Sequence, residues 1–479
     1  MSVVPTSEAI HAQIEQTKQR RRFAWRFFWI ALGCLGLLLF LIPAVVYLVW
    51  QAHGRSLLRA ELDQIRAAGE PITTAEISAW YTTLPPNTRD ITAIWSTALA
   101  PFEGPKYDAA KTNVPIIGNV DGPKTLDEPF ADEQAVQTFL KLYRPQIEAL
   151  YTAAKEEGEV RFPRQFEQGV GMLLNEAMIA RQASLVLNLE FHMLVQQNDI
   201  DAAITNLQTR YKQGETLQHE PVLVGFLVQI AIHGTTIQSI RELADCRELS
   251  DEQLQQLQRL VRRMDAHKSF PNCLIGERAW CYHWFHQPLP IFQGNADIFD
   301  LPSSPSLSTT DDLSRISRPE DCAMALQFYA QTIAAAKQPF PTALDDAAAT
   351  QQGIAQLASD DDQLSRMRYR HTLALIPMVE SMFVASARFA ANIELTNVLL
   401  ASQRYTLKHG KRPNSLADLV PDFLPQVPID PFDGQPLRLL PTEQGITFYS
   451  VGPDRLDNGG TMDPTTIGPD FAVEVKLPR

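Results

Sequence analysis

Positive charge is scarce in this 479-residue chain: 42 Lys and Arg stand against 55 Asp and Glu, a formal net charge of −13. A basic face is the usual footprint of nucleic-acid binding, so nucleic acid is excluded as a general partner. Catalytic signatures are missing as well. No G-x-S-x-G, H-E-x-x-H or G-x-x-x-x-G-K-[ST] occurs, which removes the best-marked hydrolase, metalloprotease and nucleotide-binding classes. Cysteine is down to five residues, and no long compositional repeat runs through the chain.

What the chain has is length, an ordinary globular composition (45% hydrophobic, 20% charged) and 33 prolines. That length suffices for two or three cores of usual size, joined by many loops. The strongest local feature is the uncharged run Phe27 to Trp50, "FFWIALGCLGLLLFLIPAVVYLVW". About 20 apolar helical residues cross a bilayer core. Trp25, Trp29, Tyr47 and Trp50 lie near its ends, where amphipathic rings favour the interface. Pro43 is tolerated in a membrane helix.

Lys18, Arg20, Arg21, Arg22 and Arg26 precede the run, whereas Arg55 and Arg59 follow it. The positive-inside rule then sets the N-terminus in the cytoplasm and the bulk of the chain outside. Ala52-His53-Gly54 resembles a signal-peptidase site, but the run is longer than a usual signal-peptide core, so an uncleaved anchor in the inner membrane is expected. Cys34 falls within the anchor. Cys246, Cys273, Cys281 and Cys322 fall outside, where at least one disulfide is expected, Cys273 and Cys281 being the closest pair in sequence.

The patterning predicts a mainly α protein with seven parts: a basic tail (1–26), a transmembrane helix (27–50), a juxtamembrane segment with loops (55–130), a helical domain (131–286), a linker (287–318), a helical region ending in a long helix (319–409) and a small α+β tail (410–479). Residues 101–130 read as loop because Gly and Pro recur without a helical period. Val136, Phe139, Leu140, Tyr143 and Ile147 have helical spacing, with Pro145 a predicted kink. A helix is expected over 168–196, a buried one over 222–234, a capping box at Ser250 with Gln253, and a long helix over 363–409 closed by Gly410. "QNDIDAAITNLQTRY" resembles the second half of a tetratricopeptide-type hairpin, which implies a bundle or solenoid-like helical domain.

The C-terminal stretch carries a second resemblance. Tyr405, Gly410 and Pro413 form a Tyr-x4-Gly-x2-Pro turn. Asp430-Pro431-Phe432 with Gly434 follows, then Ser450, Gly452 and Asp454 in a Ser-x-Gly-x-Asp loop. This ordered set, over about 90 residues, resembles the globular end of type II secretion major pseudopilins; the whole layout is similar to a group of uncharacterised single-span bacterial membrane proteins. The resemblance implies a small antiparallel sheet; Thr447, Tyr449 and Val451 alternate with Phe448 and Ser450 as in a half-buried strand, with "PLRLL" before it and "FAVEVKL" after it as the second and third. The pseudopilin leader site and the mature-chain Glu are absent near Phe27, so a borrowed domain rather than a filament subunit is implied.

Two clusters bear on chemistry. Asp454, Asp457 and Asp463 are candidate calcium ligands in a glycine-rich loop, because calcium takes carboxylate and carbonyl oxygens and Gly lets the backbone wrap closely. The resemblance to pseudopilins implies a calcium there; a solvated Asx turn is the competing reading. Cys273, Cys281, His283 and His286 are zinc-ligand types at a spacing that fits no common zinc site. His192 and His233 read as satisfied core residues, and Asp360 to Asp362 as a solvated run. Two functions follow: a non-catalytic envelope scaffold that binds the bilayer through 27–50 and other envelope proteins through its body, or a membrane-anchored hydrolase without a recognisable motif.

Overall fold

The computed structural model describes residues 7–172, 174–265, 267–286, 318–359, 363–376, 379–442, 445–460 and 471–476. Most of the linker, the Asp360 to Asp362 run, the turn at Glu443-Gln444 and Asp463 lie outside them. Helix α1 (Ser7–Ala67) is followed by the short helices α2 (Thr74–Thr82), α3 (Thr92–Leu99), α4 (Pro105–Lys111), α5 (Glu133–Leu142) and α6 (Arg144–Ala153). The helical body continues with α7 (Asn175–Gln196), α8 (Ile200–Glu215), α9 (Leu223–Cys246), α10 (Asp251–Arg263) and α11 (Phe270–His286). After the linker come α12 (Arg318–Ala336), α13 (Thr342–Leu357), α14 (Gln363–Arg368), α15 (Arg370–Leu375) and α16 (Val379–His409). The chain is thus mainly helical, with a three-stranded antiparallel sheet near its C-terminus.

Several boundaries differ from the sequence reading, each for a local reason. The apolar run does not end as a helix at Trp50 but continues to Ala67 without a break. Residues 101–130 are not all loop: Pro105 opens α4, its fixed φ suiting a first helical turn. Pro145 does not kink one helix; it starts a second, α6, after a break at Tyr143. The helix expected from 168 begins at Asn175, after a short 3-10 turn over Phe166–Gly171. The apolar run 222–234 is only the first half of α9. The long helix expected from 363 is cut at Ile376, whose extended backbone precedes Pro377 in the sequence; a residue before proline disfavours the helical region.

Other signals hold. Thr73 and Ser250 each form a reciprocal capping box, with Glu76 and Gln253. Asp199 caps α8 through Ala202 N, closing the α7–α8 hairpin in a tight turn. Gly410, at φ +66°, takes the left-handed position that ends α16.

The core is not segregated along the chain. Its largest cluster joins Ile77, Phe226, Phe270, Phe383 and Leu400 to Phe432, Phe448 and Val473, so the sheet packs on the same interior as the helices. A second cluster lies under α3 to α7, around Trp95, Phe102 and Ile147. A third joins the end of α1, through Leu62 and Ile65, to Cys281, Cys322 and Tyr329.

At that third cluster α1 is clamped. Trp50 Nε1 donates to Glu320 Oε2 at 2.6 Å, and Arg368 pairs with the same carboxylate while its guanidinium lies 5.4 Å from the Trp50 ring centre. Gly54 allows the approach, since a Cβ there would stand 3.1 Å from Glu320 N. Asp321, fully buried, ties α15 to α12 by accepting from His371 Nδ1, Thr372 N and Thr372 Oγ1.

Among the described residues Phe23–Ala67 and Leu223–Cys246 are helices long and apolar enough to cross a membrane, and Arg370–His409 has the length and composition although it is cut at Ile376. Burial separates them. The apolar window of the first is 0% buried, against 56% and 38% in the others. Only the first presents its apolar window outward, with Phe40 74% exposed, before its end packs through Leu62 and Ile65.

Candidate functional site

The two tail motifs meet in space. Strands β1 (Arg438–Pro441), β2 (Gly445–Ser450) and β3 (Phe471–Lys476) form an antiparallel meander in the order β1-β2-β3, with Leu439 opposite Phe448 and Phe448 opposite Val473. Asp430 sits fully buried beneath it. Its Oδ1 accepts from Phe432 N at 3.0 Å and Ser450 Oγ at 2.8 Å; its Oδ2 accepts from Val451 N at 2.9 Å and Arg438 Nη1 at 2.9 Å. Burial raises the carboxyl above the usual range, and the donated hydrogen bonds work against that rise. Asp433 also pairs with Arg438. One carboxylate therefore fastens the Asp-Pro-Phe turn to the Ser-x-Gly-x-Asp loop.

The candidate calcium ligands lie just beyond. Asp454 Oδ1 accepts from Leu456 N at 3.0 Å and Oδ2 from Asn458 Nδ2 at 3.3 Å. Asp457 Oδ1 accepts from Tyr449 OH and Gly459 N, both at 3.0 Å. The bonds from Leu456 N and Gly459 N are Asx turns, those from Asn458 and Tyr449 join side chains, and Asp463 lies outside the described residues. Among the described residues no three His, Cys, Asp or Glu side chains are grouped to hold a metal.

The cysteine expectation is corrected. Cys246, Cys273, Cys281 and Cys322 are all free. Cys273 and Cys281 share α11, and eight residues at 1.5 Å each hold them about 12 Å apart along the axis, too far for a disulfide. The same rise separates Cys273 from His286 by about 20 Å, so these four side chains do not converge. His233 is satisfied, its Nε2 lying 3.2 Å from the Tyr211 carbonyl. His192 is buried, yet its Nδ1 has no partner.

A different site is assembled by helix packing. The end of α6 and one face each of α8 and α10 enclose a cleft of about 630 Å³. On α8 the lining residues Thr205, Gln208, Thr209 and Lys212 fall three or four apart, hence on one face. On α10, Gln256, Arg259, Leu260 and Arg263 do the same. The opposite face of α10 is apolar and buried through Leu254, Leu257 and Val261, which fixes the outward direction of its arginines. Arg262 and Arg263 also occupy the last helical turn, where the helix dipole favours cations.

The charge of the cleft is one-sided. Lys155, Lys212, Arg259, Arg262 and Arg263 line it, and no carboxylate does. Lys212 Nζ meets Glu157 at 3.3 Å, a carboxylate 85% exposed and outside the lining. Arg263 lies over the Tyr211 ring at 5.7 Å, Arg259 bonds Gln255, and Arg262 Nη2 donates to the Phe423 carbonyl. Sequence reading missed this site because its cations come from three separate short segments, "AAK", "RYK" and "QRLVRR". The only local signal was the arginine spacing on the polar face of α10.

Two other charged groups are sealed from solvent. Arg164 and Glu220, each 1% exposed, pair at 2.8 Å, with Tyr81 OH on the same carboxylate. Arg210 is fully buried with only Asn188 and Ser239 as partners, and burial lowers it to about 9. No protein-family model matches the chain, and no curated protein or solved structure was found to be similar to it.

Proposed function

We propose that this chain is a single-span scaffold of the bacterial envelope, with its N-terminus cytoplasmic and its body extracytoplasmic, acting by binding other envelope proteins rather than by catalysis. The observation that carries the reading is α1. One continuous 61-residue helix holds an apolar, outward-facing segment and then docks on α12 through Trp50, Gly54 and Glu320. An anchor made this way fixes the body at a set position relative to the bilayer. Its basic N-terminal flank supports the orientation. The ordered tail motifs support a pseudopilin-like domain and a link to secretion or pilus-like assembly, and the acidic loop of Asp454, Asp457 and Asp463 belongs to the same proposal as a calcium site.

A reporter active only outside the cytoplasm, fused after Arg479, is expected to work and to stay with the membrane through an alkaline wash. Activity of a cytoplasm-only reporter at that position overturns the orientation, and full release overturns the anchor.

A further inference from the structure

We infer that the cleft between α6, α8 and α10 is a docking site for an acidic peptide segment of a partner protein, an inference that rests on the interaction reading above. A chain of net charge −13 is expected to carry carboxylates on most faces, yet the cleft gathers five cations and no carboxylate on its lining. Like charges held together on a folded surface repel, and a bound anion relieves that repulsion.

Shape then narrows the anion. The cations stand at the rim: Lys155, Arg259, Arg262 and Arg263 are exposed residues, although Arg262 spends one N–H on the Phe423 carbonyl and Arg263 lies over the Tyr211 ring. The floor is carbon, from the half-buried Tyr151 and the buried Tyr211 and Leu260. A bare inorganic anion has no use for such a floor. A peptide that alternates apolar and acidic side chains fits both parts, setting aliphatic groups on the tyrosines and carboxylates against the arginines. Arg suits this role because its planar fork takes a carboxylate in two parallel bonds. Thr205, Gln208 and Gln256 add donors and acceptors for a peptide backbone.

The test uses the full chain in detergent micelles and a fluorescent synthetic peptide alternating Glu with Leu. Binding is expected, weakening as salt rises because the rim charges are solvent-screened. The counterpart alternating Gln with Leu is expected to bind about tenfold more weakly. Arg259→Glu with Arg263→Glu, both exposed, is expected to cost about tenfold or more, and Lys155→Glu alone a smaller loss; both chains still melt cooperatively, the double variant slightly earlier because α10 loses a cation from its last turn. Lys106→Glu, an exposed charge outside the cleft, leaves binding intact.

Equal binding of the Gln peptide overturns the inference, as does full binding by the double variant. So does equal competition by inorganic phosphate or by phosphatidylglycerol vesicles, which would assign the cleft to phosphate chemistry. Self-association of the full chain that the double variant abolishes would assign it to a second copy and equally overturn the inference. Should the peptide fail while the reporter and wash results stand, the cleft inference falls alone and the anchored scaffold remains.

Discussion

Single residues set the terms at Asp430. Its carboxylate answers four donors in a fully buried position, so deleting it strands Ser450 Oγ and two backbone N–H groups and leaves Arg438 to Asp433. Breaking a buried pair by removing one partner costs about 3–5 kcal/mol. Asp430→Ala is therefore expected to destabilise the folded chain by that amount in denaturant titrations, and Asp430→Asn, which keeps one acceptor, by less. Glu277 makes a different prediction. Its Oε1 accepts from Leu223 N at 2.8 Å, at the start of α9, while burial pushes its carboxyl up to about 7 from 4.5. A raised folded pKa means that the folded state holds the proton more tightly than the unfolded one. The resulting stability is whole below about pH 4.5 and is lost as pH rises through about 7. Glu277→Gln keeps an acceptor for Leu223 and removes the titration. The stability difference between the variant and the parent chain should then grow by up to about 3 kcal/mol across that window. His192 has the opposite sign: burial lowers it from 6.5 to about 4, so its contribution is lost as pH falls between those values. Because both chains share His192, the comparison isolates Glu277.

Helices and strands depend on how closely they approach. In α11, a Cβ on Gly276 would stand 1.6 Å from the Pro221 carbonyl oxygen, with no flexible side chain to yield. In α9, Gly234 has nothing within 4 Å. Gly276→Ala is expected to cost at least about 3 kcal/mol through forced backbone movement, whereas Gly234→Ala should stabilise by up to about 1 kcal/mol through better helix propensity. Thermal melts of the two variants check this directly; equal effects would mean that α11 does not pack on the segment before α9. Much at this scale was readable from the sequence. The cap at Ser250, the stop at Gly410 and the strands around Leu439, Phe448 and Val473 follow from local chemistry that needs no distant partner. The breaks at Tyr143 and Ile376 were harder to read, because a proline inside an apolar period is equally compatible with a kink, a start or a stop.

For the whole molecule the decisive contact is between α1 and α12, separated by more than 250 residues of chain yet joined at Trp50 and Glu320. Glu320→Ala removes the partner of both Trp50 Nε1 and Arg368. The variant is expected to be cleaved between Gln51 and Ala67 by added protease faster than the parent chain, because the docked end of α1 loses its polar hold on α12. Unchanged cleavage would mean that the anchor and body are held together by the apolar contacts of Leu62 and Ile65 alone.

The sequence by itself determined the apolar N-terminal helix, the helical character of the body and the three-stranded tail, because hydrophobic period, caps and turn residues act over a few neighbours. The tertiary structure alone decided three other matters. It left the cysteines unpaired, since a helix's rise keeps Cys273 from Cys281. It brought Asp430 under Ser450, joining two motifs that the chain keeps twenty residues apart. It also gathered Lys155, Lys212 and the α10 arginines into one cleft. Charge along a sequence averages out, and only helix packing, driven by the buried leucines on the far face of α10, turns scattered cations to the same side.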